Sequence, residues 1–147
     1  MSKQIIAYGA LVERSIDNGT TWAKIPECKG IAIPMVETDY QDVTSLDSPG
    51  GFREYLEGLK DAGVLSLPCG YTSAGYAQQT ADKALGVPVK YRTTLKPAVD
   101  QNTGDVFEFS AFPTPQVEGG DLGAPVGMNV SLRTTGDVSW EAGTPKA

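Results

Sequence analysis

The 147-residue sequence predicts a mainly β (α+β) domain, an antiparallel sandwich or barrel-like fold with one packed helix. Three observations carry this. The 17 glycines and 10 prolines make turns frequent. Several runs alternate apolar and polar residues with the period of a strand. One segment alone carries convincing helix start and stop signals.

Taken in order, Gln4 to Val12 places Ile6, Tyr8, Ala10 and Val12 on one face, as a half-buried strand would. Asp17-Asn18-Gly19 supplies the positive φ angles of a tight hairpin turn, with Trp22 to Ile25 as the return strand. Lys29 to Val36 is a short apolar run that continues into the polar, alternating Glu37 to Asp42. Phe52 to Leu59 and Val64 to Cys69 read as strands flanking a second hairpin turn, Lys60-Asp61-Ala62-Gly63.

The helix is expected from about Ala74 to Leu85, with Ser73 as N-cap, Gly86 just past the end and Pro88 forbidding continuation. Ala77, Ala81, Ala84 and Leu85 recur at helical spacing and should form the stripe that packs on a sheet. Beyond it, Val87 to Leu95, Val106 to Phe112 and Val126 to Arg133 alternate regularly, with Asn102-Thr103-Gly104-Asp105 as a turn. The polar segment from about Gly136 is expected to be a loose arm.

Composition excludes several function classes. With 18 acidic and 12 basic residues the formal net charge is −6, and no basic cluster offers a grip on phosphates. There is no histidine, which removes imidazole-based triads and most zinc sites. Cys28 and Cys69 read as reduced, buried small hydrophobes, with a single disulfide as the alternative. No run approaches the ~20 apolar residues of a membrane span. The first residues lack the apolar region and cleavage site of a signal peptide, so a cytoplasm-like compartment is expected.

Ser15-Ile16-Asp17-Asn18-Gly19-Thr20-Thr21-Trp22 matches the S-x-D-x-G-x-T-W pattern of the Asp box, familiar from sialidase propeller blades. It should act as a hairpin brace, Asp17 capping turn amides while Trp22 packs on the strand. Glu54 and Glu57, at odd spacing in a strand-like run, should point to opposite faces, whereas Glu37 and Asp39 share one. No aromatic cluster that could bind sugar surrounds Glu37 and Asp39 in sequence, and solvated strand charges are the simpler reading. Glu118-Gly119-Gly120-Asp121 has too few ligands for calcium, and no glycine-rich phosphate loop precedes a helix. No active site and no cofactor are expected.

The remaining signal is apolar residues in a loop. Between two strand-like runs, a stretch of Ser, Asp, Pro and Gly also carries Val43, Leu46 and Phe52. Either these bury within their own domain, or they insert into a neighbouring subunit, the tip ordering on contact.

The stretch from Asp39 to Gly63 resembles the stacking hairpin of the tail tube protein of lambda-like long-tailed bacteriophages, the siphophage major tail protein. A Thr- and acid-rich strand enters a long loop, and the chain returns through Gly51-Phe52-Arg53-Glu54-Tyr55-Leu56-Glu57-Gly58-Leu59-Lys60-Asp61-Ala62-Gly63. The later order is also similar: one helix, a strand ending Phe109-Ser110-Ala111-Phe112, a loop, and a last strand ending Leu132-Arg133-Thr134-Thr135-Gly136.

The resemblance implies a single tail tube domain over residues 1–147, with about 137–147 as a loose C-terminal arm and no room for the immunoglobulin-like domain of some relatives. It implies hexameric rings that stack into a hollow virion tail tube, assembled in the host cytoplasm, through which DNA passes without specific binding. Tape-measure, tail-tip and terminator proteins would be its partners. Inter-subunit contact would fall on Asp39, Tyr40, Asp42, Val43, Leu46, Asp47, Phe52, Arg53 and Tyr55. Glu37, Asp39, Glu54 and Glu57 are candidate lumen acids by position, where negative charge would repel DNA. Two other readings stand beside it: a monomeric β-sandwich binding or decoration module, and a glycosidase resting on the Asp box and scattered acids. Type VI secretion tubes and distal tail rings share the same sandwich logic.

Overall fold

A computed structural model describes residues 2–146. Its body is a six-stranded, wholly antiparallel, curled sheet formed by β1 (Leu11–Ser15), β2 (Ala23–Lys24), β5 (Val64–Gly70), β6 (Val89–Thr94), β7 (Val106–Glu118) and β8 (Gly127–Glu141), in the order β2-β1-β6-β7-β8-β5. Helix α1 (Ser73–Ala84) packs on one face, against β7. The remaining strands, β3 (Glu37–Asp42) and β4 (Tyr55–Asp61), pair only with each other. The mainly-β architecture with one packed helix is as the sequence predicts.

The alternating runs explain the core. Val89, Tyr91 and Thr93 of β6, Phe109 and Ala111 of β7, and Met128, Val130 and Leu132 of β8 all turn inward and are buried. Val12, Ile25, Leu67 and Cys69 complete the cluster, and Tyr91 stacks on Phe109 with ring centroids 5.7 Å apart. The other face carries Lys90, Arg92, Ser110, Thr114, Asn129 and Ser131, as a half-solvated antiparallel sheet allows.

Gln4 to Ala10 is not a strand: the ladder with β6 begins at Leu11, and the preceding alternation finds no strand to pair with. Lys29 to Val36 is irregular too, with Ile31 and Ala32 partly buried against the core. Residues 60–63 do not close a hairpin. β4 pairs with β3 and β5 with β8, so this is a corner between two sheets, turned at Gly63 with φ +76°. β7 runs through Pro113 and Pro115, both beyond Ala111, the last β7 residue that β6 pairs; there β7 is an edge and tolerates proline.

The helix is capped by Thr72, whose Oγ1 accepts from Gly75 N at 3.0 Å, and Gly86 follows its end with φ +68°. The alanine stripe is not its buried face. Gly75, Gln79 and Asp82 face the sheet, while Ala77, Ala81, Ala84 and Leu85 are exposed. Gln79 accepts from the Tyr91 hydroxyl and Asp82 meets Arg14 of β1, so polar partners on the sheet select the face.

The segment from Gly136 is ordered. β8 kinks where the register with β7 shifts between Glu108 and Ser110, beside Gly136 with φ +80°, then continues to Glu141. Gly143 N donates to Asp105 Oδ1 at 2.8 Å, and Lys146 N to Asp100 O at 2.9 Å. These bonds tie down the expected arm; its last residue, Ala147, lies outside the described residues.

Candidate assembly surface

β3 and β4 form an arm that leaves the body sheet and stays largely exposed. Every residue of β4 is exposed, as are Glu37, Asp39, Tyr40, Gln41 and Asp42 of β3. Thr38 pairs with Lys60 but Tyr40 with Glu57, so a bulge at Gly58–Leu59 twists the ribbon. A Cβ on Gly58 would lie 3.0 Å from Asp39 O, which explains glycine there.

The tip, residues 43–54, is held by its own polar groups. Thr44 N donates to Asp42 Oδ1 (2.9 Å), Glu54 N to Thr44 Oγ1 (2.8 Å) and Val43 N to Glu54 O (2.9 Å). Arg53 Nη1 donates to Asp42 Oδ2 at 3.0 Å across the strands. The Thr44 bonds, and then Arg53, hold the Asp42 carboxyl below its ordinary pKa. Pro49–Gly51 makes a short turn, with Gly50 and Gly51 at φ +64° and +73°. The tip is therefore shaped without packing on the body.

Val43, Leu46, Tyr55 and Tyr40 are exposed, Phe52 is 76% exposed and Leu59 88%. Burial of Val43, Leu46 and Phe52 within their own domain is not realised. Asp47 is exposed beside Leu46, and Asp39 accepts from Gln41 Nε2 at 2.9 Å. Glu37, Asp39, Glu54 and Glu57 all lie on the arm and are exposed; Lys60 Nζ approaches Glu57 at 4.0 Å. The structure brings the predicted contact residues together on one projecting ribbon.

The root of the arm is clamped. Arg133 Nη2 donates to Asp61 Oδ2 at 3.2 Å, Thr134 N donates to Gly63 O at 3.1 Å, and the Thr134 hydroxyl bonds the same carbonyl. Ala62 is buried at the corner. The Gly63 amide and then Arg133 lower the Asp61 pKa.

Two further exposed apolar features lie away from the arm. Leu122, in the loop between β7 and β8, is fully exposed among Gly119, Gly120, Gly123 and Pro125. The helix presents Ala77, Ala81, Ala84 and Leu85, with Val87 beyond it. The first repeats the signal seen at Leu46, a large apolar residue in a Gly/Pro-rich loop. The second was legible as a stripe, and only its direction was misjudged.

The Asp box is the brace its residues suggest. Asp17 Oδ1 accepts from Ser15 Oγ (2.6 Å) and Thr21 N (2.8 Å), and Ser15 Oγ accepts from Gly19 N (2.9 Å). These bonds, Ser15 first, lower the Asp17 pKa to about 2. Trp22 receives the Arg92 guanidinium 4.2 Å from its ring centroid, and Arg92 also bonds Glu13 at 2.8 Å. Among the described residues, no three His, Cys, Asp or Glu side chains gather as a metal site would need.

No family model matches the chain, and no curated protein matches it in sequence. Solved structures match in fold. One is a chain of an extracellular contractile injection system, the PVC sheath/tube terminator in its extended state, with TM-score 0.72 and 14% identity over 97% of this chain and 99% of that one. The tail of the empty GTA particle, refined with C6 symmetry, gives TM-score 0.64 and 18% identity over 90% and 95%. The SPP1 tail tube gives TM-score 0.63 and 14% identity over 96% and 81%. At these identities the likeness is one of fold, shared by a part of a contractile injection system, the GTA particle tail and the SPP1 tail tube alike.

Proposed function

We propose that this chain is a structural subunit of a phage-like tail tube, self-assembling into hexameric rings that stack around a hollow channel. The observation that carries this is the β3–β4 arm: a preshaped ribbon with a projecting apolar tip, on a fold similar to that of the SPP1 tail tube. A surface of this kind is costly to leave in water and favours burial against another chain. The contact is heterologous, tip to a different surface of the next copy, so it closes into a ring or propagates along an axis. The unpaired sides of β3 and β4 and the sheet edge at β2 are further places for a neighbour to add.

The GTA tail was refined with C6 symmetry, which supports six copies per ring. The hairpin sequence supports the finer reading, a long non-contractile tail assembled in the host cytoplasm and passing DNA. In that reading Glu37, Asp39, Glu54 and Glu57 contribute negative charge along the channel, and tape-measure, tip and terminator proteins set its length and ends. The chain's role is structural rather than catalytic.

The test is negative-stain electron microscopy of the concentrated protein, together with its mass in solution. Stacked rings or hollow tubes are expected. A stable monomer that forms neither, even when seeded with tail-tip complexes, would instead favour a monomeric binding or decoration module.

A further inference from the structure

Cys28 and Cys69 are 41 residues apart in sequence, yet they face each other as a bridge between the irregular segment after β2 and the edge strand β5. Lys29 N donates to Pro68 O (2.9 Å) and Gly70 N to Glu27 O (2.8 Å), one bond on either side of the pair. That pattern defines the closely spaced kind of antiparallel pair, with Cα atoms about 4.5 Å apart, inside the range a disulfide spans. The two sulfurs lie 3.5 Å apart as free thiols. Closing that gap needs side-chain rotation and no movement of either strand.

Access to the pair is one-sided. Cys69 is 2% exposed, whereas Cys28 is partly exposed and lines a cavity of about 360 Å³ with Tyr8, Lys29 and Ile31. Lys24 supplies a cation close enough to favour the Cys28 thiolate. The hydrogen bond from Cys28 draws the Cys69 thiol below its ordinary pKa and raises that of Cys28 in return.

We propose that Cys28 and Cys69 are an oxidation site, closed to an intrachain disulfide by exchange with a small anionic disulfide of the oxidised-glutathione class that enters at Cys28. The pair loses one proton, and the proton that remains passes to the Cys69 sulfur 3.5 Å away. The Cys28 thiolate attacks one sulfur of the reagent; the reagent's S–S bond breaks, one thiolate leaves and takes up a proton, and a mixed disulfide remains. The Cys69 thiolate then attacks the Cys28 sulfur, forming the Cys28–Cys69 bond and expelling the second reagent thiolate, which is also protonated. Two protein thiols are oxidised and one reagent disulfide is reduced to two thiols. The loop so closed contains the whole β3–β4 arm, because residues 29–36 lead into it and β5 leads out. Oxidation thus adds a covalent tie at the neck of that loop, where two backbone hydrogen bonds join residues 27–29 to β5.

The experiment equilibrates the full-length folded protein with reduced and oxidised glutathione at graded ratios. It reads intact mass, thiols that react with maleimide after unfolding, and melting temperature. The expected result is loss of both thiols, a mass lower by two hydrogens, no dimer on non-reducing gels and a melting temperature higher by about 10 °C. Cys69→Ser should stop at one glutathione on Cys28, and Cys28→Ser should leave Cys69 unmodified. The wild-type mass decides the matter even where a serine variant folds poorly. Two thiols persisting in fully oxidised buffer, an adduct on wild type that never closes, or a bond between chains would each overturn the proposal.

Discussion

Arg14 Nε lies 3.2 Å from Asp82 Oδ2, joining β1 to α1 across the only helix–sheet interface of the described residues. Asp82 is 2% exposed, and neither atom has an aligned hydrogen bond, so the contact is Coulombic without directed N–H donation. Desolvation outweighs the pull of Arg14 and raises the Asp82 pKa. Breaking such a pair costs more than forming it contributes. Arg14→Ala or Asp82→Ala should each destabilise the fold by about 3–5 kcal/mol, whereas Arg14→Met with Asp82→Leu should be neutral or stabilising. Urea unfolding of the three variants measures this; a double variant weaker than both singles would contradict it.

Acid should unfold the protein mainly through its well-bonded carboxylates. Asp17, Asp42, Asp61 and Asp105 all have pKa values lowered by hydrogen bonds, Asp17 to about 2. A lowered folded pKa gives stability that is complete above the unfolded value of 3.8 and is lost as pH falls toward the folded one. Asp82 has the opposite sign, favouring the fold as pH falls. Four groups against one give a net loss of stability below about pH 4. Asp17→Asn should flatten the wild-type melting-temperature curve between pH 4 and 2; parallel curves would show that the Asp box does not report on folding.

Leu46→Ala with Phe52→Ala removes exposed tip side chains and nothing from the core. Unfolding free energy should stay within about 0.5 kcal/mol of wild type. Rings and tubes should be lost. Tubes of normal length from this variant would relocate the contact away from the arm.

Gly104 admits no side chain. A Cβ there would lie 1.6 Å from Leu95 O, whose residue donates its own amide to Asp105 O. Gly104→Ala must open the β6–β7 connection and should cost on the order of 3 kcal/mol or more. Gly119, with open space around it, is the control, and its alanine variant should melt near wild type.

Local signals in the sequence translated well. The Asn18-Gly19 turn has both φ angles positive, Gly86 ends the helix, and the alternation around Val89, Phe109 and Val130 marks the core face of each strand. Distant partners were invisible. Nothing near Ala62 says that the chain changes sheets there, because the choice is made by Arg133 and Thr134, seventy-odd residues on. Gln79 and Asp82 look like a solvent face until Tyr91 and Arg14 are placed opposite them. The tail from Gly136 is polar in sequence, yet it is ordered by a ladder to Val106 and a bond from Gly143 N to Asp105. The exposed tip was legible because Leu46 and Phe52 sit among turn formers that no core would use.

The corner at Ala62–Gly63 has a mechanical consequence. Fixed at one end and free at the other, the arm is a cantilever, and a sideways load at Leu46 has its greatest bending moment at the Arg133–Asp61 and Thr134–Gly63 clamps. Those clamps stand on β8, the fifteen-residue strand paired along most of its length with β7. The load passes into that pair as shear, shared among many ladder bonds, instead of peeling β5 from the sheet edge one bond at a time. Bending of the arm is thereby decoupled from opening of the core.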